Sequence, residues 1–401
     1  MGCVVMKSIV LYTEEMDDLD TGIQELIDQL NEHELKKNSA AIMFAHPDTN
    51  FKELMAGLKK YMHFPIIGCT AMSMFTEAMG YTTQGISIQI FTGDDVYFQA
   101  GITSEMNPEN MRDEIQSMYN DLSAKQEKKE KLILAYANII KGVTGDRFIE
   151  YLDEVSGGSP VFGGISSDSF SFDDCRVIYD ENVHQYAMAV LMISGNIRPS
   201  MIYEFSIDRE AEYSAIVTDA SENEVRSLNN KSFIESMEKI GMRPDYEDAF
   251  AESVGMPLMS TYETPEGDKI QVMRHLNSVN RENGAGIFLG EIKEGSLIHV
   301  CLMNRAEIKK SVSRAIHDCF RILKSNPDYH YSTVLLTSCA SRIMTFVNDI
   351  AEEANSYVEI IPPTMTMSGF YSFGEFCPEK GNVSGKMHNI FQNTTFCVLM
   401  M

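Results

Sequence analysis

The sequence predicts a mixed α/β (α+β) fold built from repeated β-α-β units and arranged as two modules. Three observations lead to this prediction. A pattern of apolar strand, amphipathic helix and short strand ending in glycine occurs three times, and each copy is followed by β-rich segments. The composition is that of a folded chain, with 44% hydrophobic and 23% charged residues. At 401 residues the chain is long enough for two or three domains.

The first copy begins with an apolar strand at residues 40–45. The helix after it carries apolar residues at positions i, i+3, i+4, i+7 and i+11, namely Phe51, Leu54, Met55, Leu58 and Met62. A short strand at 65–67 then ends at Gly68-Cys69-Thr70. An amphipathic helix spanning residues 16–30 is predicted before this copy.

The second copy has a strand at 131–137, a helix at 148–155 and a short strand that ends at Gly163-Gly164. The third has a strand at 333–337, a helix containing Ile343, Phe346, Val347 and Ile350, and a strand that runs into Ser368-Gly369. Segments 85–91, 176–179, 186–193 and 391–400 are predicted as antiparallel strands that follow the copies.

Other patterns complete the predicted organisation. An amphipathic helix is predicted at 308–323 and a strand at 201–207. The polar stretch after that strand favours a boundary between modules 1–212 and 213–401.

Charge and targeting signals limit the function classes. The net charge of −25 repels nucleic-acid phosphates and anionic lipid, so neither a nucleic acid nor a membrane is expected as a partner. The eight cysteines contain no CxxC pair, so the sequence predicts reduced thiols and no metal site of the usual zinc spacing. Without a signal-peptide pattern, a cytoplasmic location is expected.

Candidate ligand-binding residues follow from the repeats, because ligands of such sheets gather where the strands end. Each glycine there either lets a ligand approach the backbone or only makes a turn. The candidates are Gly68, Cys69, Gly163, Gly164, Asp168, Cys339, Arg342, Tyr371, Glu375, His388 and Asn389.

The segment Cys339-Ala340-Ser341-Arg342 lies between an apolar strand and an amphipathic helix. Backbone N–H groups at that junction and the guanidinium of Arg342 suit an anionic group of a ligand. The alternative is that Cys339 packs inward and Arg342 pairs with one of the many acidic residues.

The segment 369–375 combines Phe370, Tyr371 and Glu375, and His388-Asn389 follows it. These side chains suit a polar pocket with an aromatic wall. They equally suit a hairpin whose aromatic residues face the core.

The order and spacing of Gly68-Cys69-Thr70, Gly163-Gly164 with Asp168, the segment 369–375 and His388-Asn389 resemble the FIST family, the F-box and intracellular signal transduction domains. The resemblance covers nearly the whole chain, as an N-terminal and a C-terminal FIST module. The first unit departs from the pattern, since no Gly-Glu pair follows its Gly-Cys element.

The resemblance implies a sensory protein that binds a small molecule, with an amino acid or another small anion as the expected ligand. It implies a signalling partner in trans, such as a histidine kinase or a chemotaxis component, because the chain leaves no length for an output domain.

Three alternatives stay open at this stage. The first is a haem-binding nitric-oxide sensor of the same family, for which the axial-ligand candidates are His46, His63, His184 and His388. The second is an enzyme with Cys339 as nucleophile and His388 as base. Because the sequence contains no GxSxG, Walker A, HExxH or kinase signature, a binding protein is favoured over an enzyme. The third is a structural or adaptor protein.

Overall fold

A computed structural model describes residues 6–207, 213–242, 253–346, 349, 351–358, 362 and 364–401. These residues form three six-stranded sheets, an eight-stranded sheet and a two-stranded hairpin. Helices cover the outside of the sheets, so the predicted mixed architecture is confirmed. The described helices are α1 (Leu19–Asn31), α2 (Phe51–Leu58), α3 (Met111–Ser123), α4 (Gly145–Ser156), α5 (Phe233–Lys239), α6 (Arg305–Ser325), α7 (Ala340–Thr345) and α8 (Glu352–Val358).

Each six-stranded sheet contains one of the predicted repeats. In order across the first sheet, the strands are β1 (Met6–Thr13), β6 (Ile86–Gly93), β2 (Asn38–Ala45), β3 (Ile66–Thr70), β10 (Val177–Tyr179) and β11 (Asn182–His184). The second sheet has β7 (Val96–Ile102), β12 (Met188–Gly195), β8 (Leu132–Ala137), β9 (Val161–Ile165), β24 (Glu375–Phe376) and β27 (Phe391–Gln392). The third has β13 (Ser200–Phe205), β28 (Thr395–Met400), β22 (Thr333–Cys339), β23 (Thr366–Ser372), β4 (Met74–Thr76) and β5 (Gly80–Thr82).

The three sheets share one plan. A parallel pair, β2 with β3, β8 with β9 or β22 with β23, forms the centre of each sheet. The antiparallel strand predicted after each copy pairs with the first member of that pair, as β6, β12 and β28.

The sheets also exchange strands in a ring. The strands after β3, namely β4 and β5, extend the third sheet, whereas β10 and β11, which follow β9, extend the first. The strands after β23, namely β24 and β27, extend the second sheet. Each unit therefore completes the sheet of another unit, and the three copies form one closed assembly.

A glycine occupies the same register position in all three parallel pairs. Gly68 lies opposite Met43, Gly163 opposite Ala135, and Gly369 opposite Leu336. A Cβ atom on Gly68 or Gly163 would overlap the carbonyl oxygen of the residue opposite. These glycines are therefore required by the close approach of two backbones.

The core between the three sheets is apolar, and its centre is aromatic. Phe44, Tyr136 and Phe370, one from each sheet, pack against one another with ring-centroid distances of 4.4 to 5.9 Å. Helices α1 and α2 cover the first sheet, α3 and α4 the second, and α6 and α8 the third.

An eight-stranded sheet, which the sequence analysis does not predict, lies between the second and third units in the chain. Its strands are β18 (Lys269–Arg274), β17 (Leu258–Glu263), β21 (Leu297–Val300), β14 (Tyr213–Ser221), β15 (Glu224–Leu228), β20 (Gly286–Phe288) and β19 (Leu276–Val279), with β16 (Lys231–Ser232) paired to β15. The remaining hairpin is β25 (Glu379–Lys380) with β26 (Met387–His388).

Two sequence predictions reach residues outside the described ranges. The sequence analysis places Val347 and Ile350 in the helix after β22, and both lie outside the described ranges. The bounds of that helix, α7, are Ala340–Thr345. The predicted boundary at 212 and 213 also falls at the edge of an undescribed segment, and it stays a prediction.

Candidate functional site

The carboxyl ends of β22 and β23 place several predicted site residues together. Cys339 ends β22, Ser372 ends β23, and Glu375 begins β24 three residues later. The carboxyl group of Glu375 is fully buried and accepts hydrogen bonds from Ser372 Oγ at 2.7 Å and from Thr395 Oγ1 at 2.6 Å. The thiol of Cys339 lies near this carboxyl group and accepts a hydrogen bond from Ser341 Oγ at 3.1 Å.

The protonation of this cluster follows from its burial. Burial raises the pKa of Glu375 to about 7, although hydrogen bonds from Thr395 and Ser372 lower it in part. Burial, together with the nearby Glu375, raises the pKa of the Cys339 thiol far above its usual range. Cys339 is therefore a neutral thiol near pH 7.

Two residues that the sequence analysis missed complete the cluster. Asn393 is fully buried, and neither its amide oxygen nor its amide nitrogen has a hydrogen-bond partner among the described residues. His275, from the end of β18, lies 2.6 Å from Thr394 Oγ1 through Nε2, and burial lowers its pKa to about 4. The available signal was a polar run, Gln392 to Thr395, inside a segment otherwise typical of an apolar strand.

The eight-stranded sheet covers this end of the assembly. The backbone N–H of Met273 donates to Gln392 Oε1 at 3.0 Å. Arg274 is almost fully buried, donates to Phe391 O, and pairs with Asp146 at 2.6 Å. These contacts join the end of β18 to Phe391 and Gln392, next to the strand ends.

Arg342 lies directly behind the cluster. Its guanidinium is fully buried and forms an ion pair with Glu353, which also accepts hydrogen bonds from Tyr357 and, at 3.0 Å, from Tyr371. Ser206 Oγ and Ser311 Oγ each accept one further N–H group of the guanidinium. In this structure the guanidinium of Arg342 is paired with the carboxylate of Glu353. The role of Arg342 in binding an anionic ligand therefore stays a prediction.

Asp168 organises a loop at the same end of the assembly. Its buried carboxylate accepts hydrogen bonds from Ser171 Oγ at 2.8 Å and from the N–H groups of Phe172 and Asp174 at 3.1 Å. Those bonds, which outweigh the effect of burial, lower the pKa of Asp168. The loop places Phe172 against Phe373, with ring centroids 4.7 Å apart.

The other predicted residues lie apart from the cluster or are packed within the strands of the sheets. Asn389 bonds to Val161 N and Ser159 O at 2.8 Å, near the amino end of β9. His388 lies 2.8 Å from Asp268. Gly68 and Cys69 are buried within β3, and Gly163 packs against β8. Gly164 lies beside Gly374 and thus close to the cluster.

The two chemical alternatives find little support in this arrangement. The nucleophile and base of the enzyme hypothesis, Cys339 and His388, have different hydrogen-bond partners and lie in different clusters. Haem needs an axial ligand that faces an apolar cleft. His388 is bonded to Asp268 and His46 lies beside Asp48, and the apolar cavity under α6 is lined by no histidine among the described residues. Cys319 and Tyr357, which are residue types that also ligate haem iron, line that cavity, and the haem alternative stays a prediction.

Family models place this chain among known proteins. The FIST N domain matches residues 39–231, and the FIST C domain matches residues 237–378. The chain belongs to the FIST family. The two matches confirm the family resemblance found in the sequence. FIST domains are small-molecule-binding signalling domains.

A solved structure described as "Cyanuric acid hydrolase: evolutionary innovation by structural concatenation" is similar at 9% identity with a TM-score of 0.33, covering 98% of this chain and 99% of that chain. No sequence among the curated proteins matches the chain. Among the described residues, no helix has both the length and the apolar composition needed to cross a membrane.

Proposed function

We propose that this FIST protein is a cytoplasmic sensor that binds an amino acid or another small anion at the ends of β22 and β23 and signals through a partner protein in trans. The observation that carries the proposal is the amide of Asn393, which is fully buried and has neither polar atom bonded to any residue that the structure describes. A buried amide without partners costs free energy unless a bound molecule completes its hydrogen bonds. The predicted residue Glu375 lies in the same cluster.

Different side chains of the cluster bind the ammonium group and the carboxylate of an amino acid. Glu375 is the carboxyl group available to a ligand ammonium, whose arrival would favour the ionised form of Glu375. The Asn393 amide nitrogen is a donor for a ligand carboxylate. Arg342 lies next to the cluster in an ion pair with Glu353. In the bound state its guanidinium attracts the ligand carboxylate as well as Glu353.

The eight-stranded sheet, which lies over the cluster, transmits ligand binding to a partner protein. Met273, Arg274 and His275 all touch residues 391–394. A ligand that binds beside Asn393 favours one placement of β18, and the eight-stranded sheet then presents a different outer surface to the partner.

Isothermal titration of the purified chain with the twenty standard amino acids, acetate, succinate and phosphate tests the proposal. At least one compound binds the native protein, and Glu375→Gln weakens its binding at least tenfold. Glu77→Gln is the matched control, because Glu77 is also a largely buried carboxyl group but bonds to Met367 N, away from the cluster.

Hydrogen exchange locates the response. Ligand addition slows exchange in residues 271–275 and 392–395 of the native protein. The proposal fails if no compound binds, or if a bound compound protects neither segment and is insensitive to both Glu375→Gln and Asn393→Ala.

A further inference from the structure

The ring of three sheets creates three related grooves at the end opposite the strand-end cluster. Each groove lies between the amino ends of one parallel pair and the edge strand of a neighbouring sheet. The first combines the starts of β2 and β3 with edge strand β7. The second combines the starts of β22 and β23 with edge strand β1.

The chain itself fills the third groove. The segment with β25 and β26 crosses between the start of β9 and edge strand β13. Glu379 accepts a hydrogen bond from Tyr203 of β13 at 2.6 Å, and Asn389 bonds to Ser159 O and Val161 N at 2.8 Å. The equivalent grooves thus have the shape and polar edges to hold an occupant, and the described residues leave two of the three open.

The two open grooves differ in charge. The second, of about 750 Å³, is lined by Lys7, by Lys36, which lies between the two grooves, and by the acidic residues Glu77, Asp94 and Asp95. The first has a volume of about 520 Å³ and is lined by Lys36, Lys37 and His63, and none of its described lining residues is acidic. Such a lining is exceptional in a chain with a net charge of −25.

The lysines of the first groove are not neutralised by the described part of the chain. Neither Lys36 nor Lys37 forms a salt bridge there; the carboxylate of Asp94, at the rim, accepts the backbone N–H of Lys37 at 3.4 Å. A third ammonium group, of Lys128, lies 5.2 Å from the ring of Tyr97. The groove is therefore a local positive site on an acidic protein.

Aromatic side chains form the rest of the lining. The ring of Tyr61 is 53% exposed, and Phe64, Tyr97 and Phe98 are half-buried around it. Exposed aromatic rings beside unpaired lysines recognise a flat ring and a negative charge in one molecule. The volume is that of a small-molecule site.

We propose that the first groove binds a small molecule in which a carboxylate or phosphate group is attached to an aromatic ring. Lys36 and Lys37 hold the anion, and Tyr61 with Tyr97 packs against the ring. This site is separate from the strand-end cluster, and its occupancy does not depend on Glu375 or Asn393.

Calorimetric titration of the full chain with phenyl phosphate tests the proposal, with inorganic phosphate and phenol as probes of each half of the ligand. Phenyl phosphate binds at least tenfold more tightly than either half. Lys36→Gln with Lys37→Gln weakens that binding at least tenfold, and Tyr61→Ala weakens it about fivefold.

The control replaces two exposed lysines elsewhere, Lys52→Gln with Lys324→Gln, and changes the affinity less than twofold. All the replaced side chains are exposed, so unchanged thermal unfolding verifies that each variant folds. The proposal is overturned if phenyl phosphate does not bind, if both double variants lose affinity equally, or if inorganic phosphate binds as tightly as phenyl phosphate.

Discussion

Arg342 and Glu353 form an ion pair in which both side chains are fully buried. The pair connects α7 to α8 beneath the strand-end cluster, and Arg342 Nε donates to Glu353 Oε1 at 2.7 Å. Removal of one partner leaves the other charge buried without compensation, which is far more costly than loss of an exposed pair.

Glu353→Gln is expected to lower the free energy of unfolding by about 3–5 kcal/mol. Glu154→Gln breaks the exposed pair with Arg112 and lowers it by less than about 1 kcal/mol. Urea denaturation measures both values. The double replacement Arg342→Met with Glu353→Leu is less destabilising than Glu353→Gln, because no charge remains buried. Equal losses for Glu353→Gln and Glu154→Gln would contradict this account.

The pH dependence of stability contains a contribution from Glu375. Its pKa is raised to about 7 in the folded protein, so the folded state holds the proton more tightly than the unfolded state does. The stabilising contribution is therefore complete below about pH 4.5 and is lost as the pH rises to about 7, a change of about 3 kcal/mol. Chemical denaturation of the native protein and Glu375→Gln across this range should give a difference that changes with pH. A difference independent of pH would show that Glu375 titrates normally.

The shared glycine position predicts a steric effect on folding. Gly68→Ala places a methyl group against the backbone of Met43, and we expect a loss of about 3 kcal/mol or more of unfolding free energy. Gly255→Ala is the control, because the nearest atom to its Cβ, Met303 O, is 3.8 Å away. Thermal unfolding compares the two variants, and similar melting temperatures would refute the steric explanation.

The loop after β9 depends on one carboxylate. Asp168→Ala removes the acceptor for the N–H groups of Phe172 and Asp174, so we expect their hydrogen exchange to accelerate about tenfold or more. The loop also holds Phe170 and Phe172 at φ angles of 66° and 63°, a backbone conformation unfavourable for phenylalanine. Asp173→Ala, with an exposed side chain in the same loop, is the control. Unchanged exchange in Asp168→Ala would mean that packing against Phe373 alone fixes the loop.

The local elements of the fold could be predicted because they depend on short-range patterns. The apolar face of α2 at Phe51, Leu54, Met55 and Leu58 and the strand at β8 follow directly from residue spacing. Consecutive strands of the eight-stranded sheet form hairpins, as β14 does with β15 and β17 with β18. The sheet as a whole could not be recognised in this way, because pairings such as β17 with β21 join strands that are not consecutive in the chain. The strand exchange was missed for the same reason.

In the candidate site, too, the features that depend on local sequence patterns could be predicted, whereas those that depend on long-range packing could not. The sequence by itself determined the three repeats, their glycines and the placement of Cys339 at the end of a strand, because periodicity and strand order are local properties. Only the tertiary structure decided that Arg342 faces Glu353, that Asn389 joins the start of β9, and that His275 and Asn393 enter the cluster. Those outcomes depend on which sheets meet in the closed ring, and the burial of each polar group follows from that packing rather than from its neighbours in the chain.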